Sequence, residues 1–184
     1  SVWRDAITAD GSSGFKAEPG RYHLFLAPSC PWAHRTQIIR RLKGLEDTIS
    51  ITLSDLPRIT SWAYTQGIDE LQPGENGKLE LHDVYIAADP NYTGRVTVPT
   101  LWDREKKTIV NNESAEIIRM LNTEFDEWAT NDLPDLYPEA HRAEIDMLNE
   151  RIYETVNNGV YRCGFAKTQE AYEEYFVPMF DTLD

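Results

Sequence analysis

Hydrophobic and polar positions in the first part of the chain follow the periods of a strand, a helix and a second strand. Residues 22–27 form a continuous apolar run, which predicts a buried strand. Apolar residues recur at roughly helical spacing through residues 31–45, where Pro31 suits the first turn of a helix. Apolar and polar residues then alternate around Ile51, which is the period of a strand. The chain is therefore expected to open with a β-α-β unit whose strands run parallel.

The next part of the chain has a weaker pattern. Residues 55–93 combine scattered aromatic side chains with the turn sequence QPGENGK, and we interpret them as a loop-rich insertion. Apolar, β-branched residues then occupy 96–103 and 108–110 on either side of two lysines, which predicts a hairpin. A helix is expected over residues 116–122, because apolar residues dominate there. The order β-α-β, insertion, β-β-α indicates an α/β domain.

The last part of the chain has only helical patterns. Residues 139–156 and 168–183 carry apolar residues at roughly helical steps, and the sequence NNG separates them. These two helical segments cannot close a core of their own, and we therefore expect an incomplete helical domain. The pattern thus divides the chain into an irregular lead-in (1–20), an α/β domain (21–125) with the insertion (55–93), a linker (126–137) and the start of an all-α domain (138–184).

The charge and cysteine content narrow the function classes. Lys and Arg total 18 against 31 Asp and Glu, which gives a formal net charge of -13. This acidic balance argues against nucleic acid and against anionic membranes as partners, since both attract clustered basic residues. No apolar run approaches the length of a membrane span. Two cysteines are too few for a disulfide framework and fit a reducing compartment, so a cytoplasmic location is expected.

Cys30 has the placement of a reactive thiol. It lies between the first strand and the first helix in the sequence APSCPWAHR, where unpaired N–H groups and the helix dipole favour a thiolate. His34 and Arg35 follow within about a turn and could add positive potential. The plainer alternative for a cysteine is a small, packed apolar residue, and we favour that alternative for Cys163. We interpret Cys30 as a nucleophile.

The residue at position 33 decides which thiol chemistry Cys30 can perform. A dithiol redox centre needs a second cysteine there, but the chain has Ala33. A single thiolate can still attack a disulfide and form a mixed disulfide, which an external thiol must then resolve. Glutathione is the abundant external thiol. The four histidines have no metal-ligand spacing with the cysteines, and we expect no metal.

Four sequence blocks resemble the xi-class glutathione transferases, the glutathionyl-hydroquinone reductases. The blocks are SCPWAHR, ADPNYTGRVTVPTLWD at 88–103, NNESAEIIRML at 111–121 and NNGVYRCGFA at 157–166. The first block alone suggests only a thioredoxin-like protein, whereas the four blocks in this order are specific. The resemblance implies a thioredoxin-like α/β domain followed by an all-helical domain. Members of the family run well beyond 184 residues, so the chain resembles a fragment of one.

The resemblance also implies how glutathione is bound. Val98 would pair its backbone with the cysteinyl part of the tripeptide, ahead of Pro99 in a cis peptide bond. Glu113 and Ser114 would bind the α-amino and α-carboxylate groups of the γ-glutamyl end. Such a pair at a helix start can instead be an ordinary cap, which remains the alternative.

Two further residues belong to the implied glutathione site. Arg95 resembles the arginine that binds glutathione, and it could pair with the glycyl carboxylate. Trp62 resembles the tryptophan that flanks the bound tripeptide. The alternative for Trp62 is a core aromatic in the insertion.

The implied activity is reduction of glutathionyl-hydroquinones through a Cys30–glutathione mixed disulfide, with glutathione as co-substrate. The full-length protein is then expected to be a homodimer. One alternative is an omega-like transferase that reduces dehydroascorbate or mixed disulfides through the same cysteine. Another is a ligand-binding or regulatory protein without catalysis on the same scaffold, which a cysteine at a helix start argues against.

Overall fold

The computed structural model describes residues 1–56 and 61–184, which form two compact units, Ser1–Asp135 and Leu136–Asp184. The predicted insertion 55–93 includes residues 57–60, which lie outside the described residues. The boundary between the two units falls inside the predicted linker 126–137.

A four-stranded mixed sheet organises the first unit. In chain order the elements of this unit are β1 (Tyr22–Leu26), α1 (Pro31–Leu42), β2 (Ser50–Leu53), β3 (Ala63–Tyr64), β4 (Leu79–Glu80), α2 (Leu81–Ala88), β5 (Thr100–Asp103), β6 (Thr108–Asn111) and α3 (Ser114–Thr123). The sheet has the order β2-β1-β5-β6, with β1 parallel to β2 and antiparallel to β5, and β6 antiparallel to β5. The β-α-β unit and the hairpin expected from the sequence are confirmed, and the first compact unit is thioredoxin-like.

The C-terminal end of α1 is held by residues that the sequence assigned to a linker. Gly44 turns the chain with a positive φ of 64°, a conformation that glycine adopts without strain. The Thr130 hydroxyl donates to the Gly44 carbonyl at 2.9 Å. The Asn131 side-chain amide donates to the Arg41 and Leu42 carbonyls at 3.2 and 3.1 Å. These bonds satisfy carbonyls that a helix end leaves unpaired, so residues 126–135 pack with the first unit.

The predicted insertion 55–93 contains more regular structure than a loop. The short strands β3 and β4 pair antiparallel, and α2 follows β4 directly. A reciprocal capping box between Glu80 and Asp83 begins α2, which buries Leu81, Val84 and Tyr85. The helix is only 8 residues long, too short to repeat its apolar positions, and the sequence pattern therefore did not reveal it.

The lead-in 1–20 is irregular, as expected, but it packs against the first unit. Ile7, Phe15 and Ala17 are buried in the core. Arg4 forms an isolated bridge to Asn111 at the end of β6. The lead-in therefore contributes apolar side chains to the core and covers the last strand of the sheet.

The second unit is helical. The helices expected over 139–156 and 168–183 are confirmed, whereas a short helix over Gly159–Phe165 was not predicted. Many large apolar side chains of this unit are exposed, including Phe165 at 80% and Leu183 at 60%. No helix in the described part of the chain is long and apolar enough to cross a membrane. The elements are α4 (Arg142–Ile152), a π-helical turn (Tyr153–Asn157), α5 (Gly159–Phe165) and α6 (Gln169–Leu183).

Candidate functional site

Cys30 is the N-cap of α1. Its backbone is extended, with φ -100° and ψ 112°, and Pro31 occupies the first helical position. The Cys30 N–H donates to the Ala27 carbonyl at 3.1 Å, and the Cys30 carbonyl accepts from the His34 N–H at 2.9 Å. Proline suits this position because it has no N–H and its φ is already helical. The Cys30 thiol, which is partly buried, therefore lies at the positive end of the helix dipole.

The Val98 backbone lies beside the thiol. Cys30 Sγ is 3.6 Å from the Val98 carbonyl oxygen. The Val98–Pro99 peptide bond is cis, as the resemblance implies. Val98 and Pro99 are buried and lead directly into β5. The structure thus brings together three of the residues that the sequence proposed for the site.

Glu113 and Ser114 begin α3. Glu113 is the N-cap, and its Oε1 accepts from the Ala115 N–H at 3.3 Å. The Ser1 hydroxyl donates to the other carboxylate oxygen, Oε2, at 2.9 Å. Glu113 therefore caps the helix, as the alternative held, and its second oxygen can still accept a hydrogen bond from outside α3. Ser114 is 3% exposed and is the first residue of α3.

Arg35 joins α1 to this pair. Its Nε and Nη2 donate to Ser114 Oγ at 2.9 and 2.7 Å. Nη2 also lies 3.8 Å from Glu113 Oε1, and Cζ lies 5.0 Å from the centroid of the Trp32 ring. The sequence indicated Arg35 only as positive potential near Cys30. Its hydrogen bonds to Ser114, which is 79 positions away, leave no local signal in the sequence.

The Tyr85 hydroxyl is the centre of a buried hydrogen-bond network that sequence reasoning missed. It donates to the Thr97 carbonyl at 3.0 Å and accepts from the Thr97 N–H at 3.2 Å. The Asn112 side-chain amide donates to the same hydroxyl at 2.9 Å. Thr97 precedes Val98, and Asn112 precedes Glu113. The hydroxyl therefore ties together the two backbone segments that carry these candidate glutathione-binding residues.

Arg95 and Trp62 are held through their backbones. Arg95 is exposed in the loop before Val98, and its carbonyl accepts from the Tyr92 hydroxyl at 2.7 Å. Trp62 is half-buried against the core, and its carbonyl accepts from the Leu81 N–H at 2.8 Å. The core packing of Trp62 agrees with the alternative interpretation of this residue. The roles of both residues towards glutathione stay predictions.

The groups around Cys30 suit different parts of a small peptide ligand. A thiol at a helix N-terminus and a peptide carbonyl lie together, and a carboxylate and a hydroxyl begin the neighbouring helix α3. A thiolate can attack sulfur, a peptide group can pair with an extended peptide, and a carboxylate–hydroxyl pair can bind an amino acid zwitterion. This set fits a small peptide that carries a sulfur in its middle and free α-groups at one end.

Comparisons with known proteins agree with this arrangement. Residues 29–124 match the family described as glutathione S-transferase, N-terminal domain. The chain is 56% identical over 202 residues to the glutathionyl-hydroquinone reductase PcpF of Sphingobium chlorophenolicum. That alignment takes in 100% of this chain and 64% of the relative.

Two solved structures have the same fold. The glutathione-bound structure of YqjG, a glutathione transferase homologue from Escherichia coli K-12, matches with a TM-score of 0.88 and 46% identity over 99% of this chain and 61% of its own. The glutathione S-transferase Xi from Phanerochaete chrysosporium matches with a TM-score of 0.87 and 46% identity over 100% of this chain and 63% of its own. The chain thus spans less than two thirds of the length of each of these relatives. By sequence and by fold, the chain belongs to the glutathione S-transferase family, within its xi class.

Proposed function

We propose that the protein removes glutathione from glutathionyl-hydroquinones, with Cys30 as the catalytic nucleophile and glutathione as co-substrate. The observation that carries the proposal is the position of the Cys30 thiol at the start of α1, 3.6 Å from the Val98 carbonyl oxygen and with alanine at position 33. The Sphingobium relative is named a glutathionyl-hydroquinone reductase, and the Escherichia coli homologue was solved with glutathione bound.

Each part of the tripeptide has a chemically matched group in the site. The Val98 backbone suits the cysteinyl residue, because an extended peptide can pair with main-chain groups as an added strand does. Glu113 suits the α-amino group and Ser114 the α-carboxylate of the γ-glutamyl end. Arg95 is exposed in the loop before Val98 and suits the glycyl carboxylate. Trp62, which is half-buried against the core, would cover the bound tripeptide.

In the first step, the Cys30 thiolate attacks the glutathionyl sulfur of the conjugate. The conjugate reacts in its keto form, in which the carbon that bears the sulfur lies next to a carbonyl group. The carbon–sulfur bond breaks, its electron pair passes to the ring as an enolate, and a proton from solvent completes the hydroquinone. Cys30 and glutathione are left joined by a disulfide bond. The helix dipole stabilises the attacking thiolate.

In the second step, a glutathione thiolate attacks the glutathionyl sulfur of the mixed disulfide. The Cys30 sulfur leaves as a thiolate, and glutathione disulfide is released. Over the cycle one ring carbon is reduced while two glutathione sulfurs are oxidised to a disulfide, so no other reductant is needed. Because position 33 is alanine, no thiol one helical turn from Cys30 competes with the incoming glutathione.

We also propose that the full-length protein is a homodimer and works in the cytoplasm. Free cysteines at positions 30 and 163 suit a reducing compartment. Exposed apolar side chains in the second unit, such as Phe165 and Leu183, suit burial against further protein surface. Light scattering after gel filtration and cell fractionation test these two proposals.

The test of the activity is turnover of a glutathionyl-hydroquinone by the purified protein in the presence of glutathione. We expect hydroquinone and glutathione disulfide in equal amounts by liquid chromatography. When glutathione is withheld, intact-mass and peptide analysis should find one glutathionyl group on Cys30. Cys30→Ser should lose nearly all turnover, since an alcohol is a far weaker nucleophile at neutral pH. Cys163→Ser is the matched control and should keep it.

The same assay separates the alternatives. Substantial turnover by Cys30→Ser would contradict the mechanism. An omega-like transferase would reduce dehydroascorbate or mixed disulfides faster than the hydroquinone conjugate, again through Cys30. A carrier would bind the conjugate equally well before and after the Cys30→Ser substitution and would release no hydroquinone.

A further inference from the structure

Arg35 connects the helix that begins at the nucleophile with the helix that begins at the γ-glutamyl pair. It lies five residues after Cys30, and its guanidinium reaches Ser114 at the start of α3. The Trp32 ring lies 5.0 Å from the guanidinium carbon and restricts the side chain further. The side chain is 30% exposed, so it borders the surface on which a ligand would lie.

The hydrogen bonds from Arg35 determine what the Ser114 hydroxyl can do for a ligand. A hydroxyl has two acceptor lone pairs and one proton to donate. Arg35 Nε and Nη2 both donate to Ser114 Oγ, at 2.9 and 2.7 Å, so the side of the oxygen that faces the guanidinium acts as an acceptor and the hydroxyl proton must point away from it. The Ser114 hydroxyl is then left as a donor, which is the role that a carboxylate requires.

The charge of Arg35 acts on the same end of the ligand. The γ-glutamyl end of glutathione carries an ammonium and a carboxylate on one carbon. Glu113 attracts the ammonium but repels the carboxylate. Arg35 Nη2 lies 3.8 Å from Glu113 Oε1 and offsets that repulsion. With Arg35 present, the pair of Glu113 and Ser114 therefore presents an acceptor and a donor to a zwitterion.

We propose that Arg35 is a positioning residue for the α-carboxylate of the γ-glutamyl group, acting through the Ser114 hydroxyl. This inference rests on the proposed function of the site. Arg35 prepares Ser114 as a donor and limits the repulsion from Glu113, and it does so from the helix that begins at Cys30. A residue that merely tied α1 to α3 would affect stability but would not distinguish ligands that differ only in this carboxylate.

The test compares two thiol peptides by calorimetric titration and as co-substrates in turnover. They are glutathione and its 4-aminobutyryl analogue, which lacks only the α-carboxylate. Arg35→Met should weaken glutathione binding and raise its KM by about 10–100-fold, the effect of a hydrogen bond to a charged group. The 4-aminobutyryl analogue should change less than about twofold in affinity, because it lacks the interaction to lose.

The control variants separate positioning from structure. Ser114→Ala should reproduce the selectivity of Arg35→Met, and the double variant should add little further loss because both act on one hydrogen-bond system. Arg35→Lys should recover only part of the affinity, because a lysine keeps the charge without the two-pronged donor geometry. Arg41→Met removes the same charge from an exposed position of α1 and should leave all affinities unchanged. Thermal denaturation checks that each variant is folded.

Two results would overturn the inference. One is an equal loss of affinity for glutathione and the 4-aminobutyryl analogue in Arg35→Met, and the other is no loss for either. If the unaltered protein binds glutathione but turns over no hydroquinone conjugate, the proposed function fails while the titrations still decide the role of Arg35. If it binds no glutathione at all, both proposals fail.

Discussion

Replacing Tyr85 with Phe removes one buried hydroxyl and keeps the ring that packs on Trp3 and Tyr92. The hydroxyl accepts from the Thr97 N–H at 3.2 Å and from the Asn112 amide at 2.9 Å. Thr97 is an exposed residue, so water can replace the hydroxyl as the partner of its N–H. Asn112 is only 5% exposed, and after the substitution its side-chain amide keeps only a 3.5 Å contact to Thr97 Oγ1. A buried donor without a partner costs about 1–3 kcal/mol, so we expect the free energy of unfolding to fall by about 2–3 kcal/mol in total.

The assays for Tyr85→Phe are urea unfolding, which gives the free energy of unfolding, and thermal unfolding, which gives the melting temperature, both followed by circular dichroism. A loss of that size should lower the melting temperature by roughly 6–10 °C for a unit of this length. Tyr92→Phe is the matched control, because it removes a hydroxyl from the same aromatic cluster. The Tyr92 hydroxyl donates to the Arg95 carbonyl on an exposed loop, so its removal should cost below about 1 kcal/mol.

Tyr85→Phe should also weaken the binding of glutathione. Without the hydroxyl, only the 3.5 Å contact between Asn112 Nδ2 and Thr97 Oγ1 joins the segment before Val98 to the segment before Glu113, so the two parts of the site can shift more easily. The KM for glutathione should therefore rise several-fold more in Tyr85→Phe than in Tyr92→Phe. Equal losses of stability and equal KM values in the two variants would refute the argument that this hydroxyl couples the two segments.

Three further substitutions test the placement and chemistry of individual residues. Ala33→Cys should form a disulfide with Cys30 on mild oxidation, because positions 30 and 33 are about one helical turn apart. Non-reduced peptide mapping detects this disulfide, and its absence would show that position 33 is not one helical turn from Cys30. Glu113→Ala should raise the KM for glutathione by about tenfold or more. The lost cap should cost only about 1 kcal/mol of stability, so a larger drop in melting temperature with an unchanged KM would support capping alone. Burial, with smaller contributions from Arg104 and Arg40, lowers the pKa of His23 from 6.5 to about 3, so below pH 6.5 the unfolded chain binds a proton that the folded chain does not. The free energy of unfolding of the unaltered protein therefore falls as the pH is lowered. His23→Phe lacks this contribution, so between pH 7.5 and 5 its free energy of unfolding, measured by urea titration, should fall by about 2 kcal/mol less than that of the unaltered protein.

Local periodicity was sufficient to predict the four-stranded sheet and the helices α1 and α3. β1 is a continuous apolar run, and all five of its residues are buried between other elements. The hairpin of β5 and β6 was predicted from β-branched residues around a pair of lysines, although β5 begins at Thr100 and not at Val96. The segment before Thr100 is held by the Tyr85 hydroxyl, and such side-chain contacts leave no period in the sequence.

The contacts that position the site were not predictable from local patterns. Arg35 bonds to Ser114 across 79 positions, and Tyr85 bonds to Asn112 across 27. Asn131 caps the end of α1 from 90 positions away. These side chains are polar, and in the sequence they are indistinguishable from solvated ones. The candidate residues themselves were available from motifs, but the residues that orient them became visible only with the fold.

In the proposed function, α1 links the Cys30 thiol to the proposed γ-glutamyl pair, Glu113 and Ser114, through Arg35. Cys30 and Arg35 are five residues apart, which corresponds to about 7.5 Å along a helix axis. Two extended peptide residues span about 7 Å, comparable to the distance from the cysteine of glutathione to its free α-groups. Because the helix also ends in a cap formed by Thr130 and Asn131, both of its termini are held. A displacement of α1 would therefore carry Cys30 and the Arg35 guanidinium together, so the spacing between the proposed nucleophile and the proposed positioning residue is determined by the helix itself.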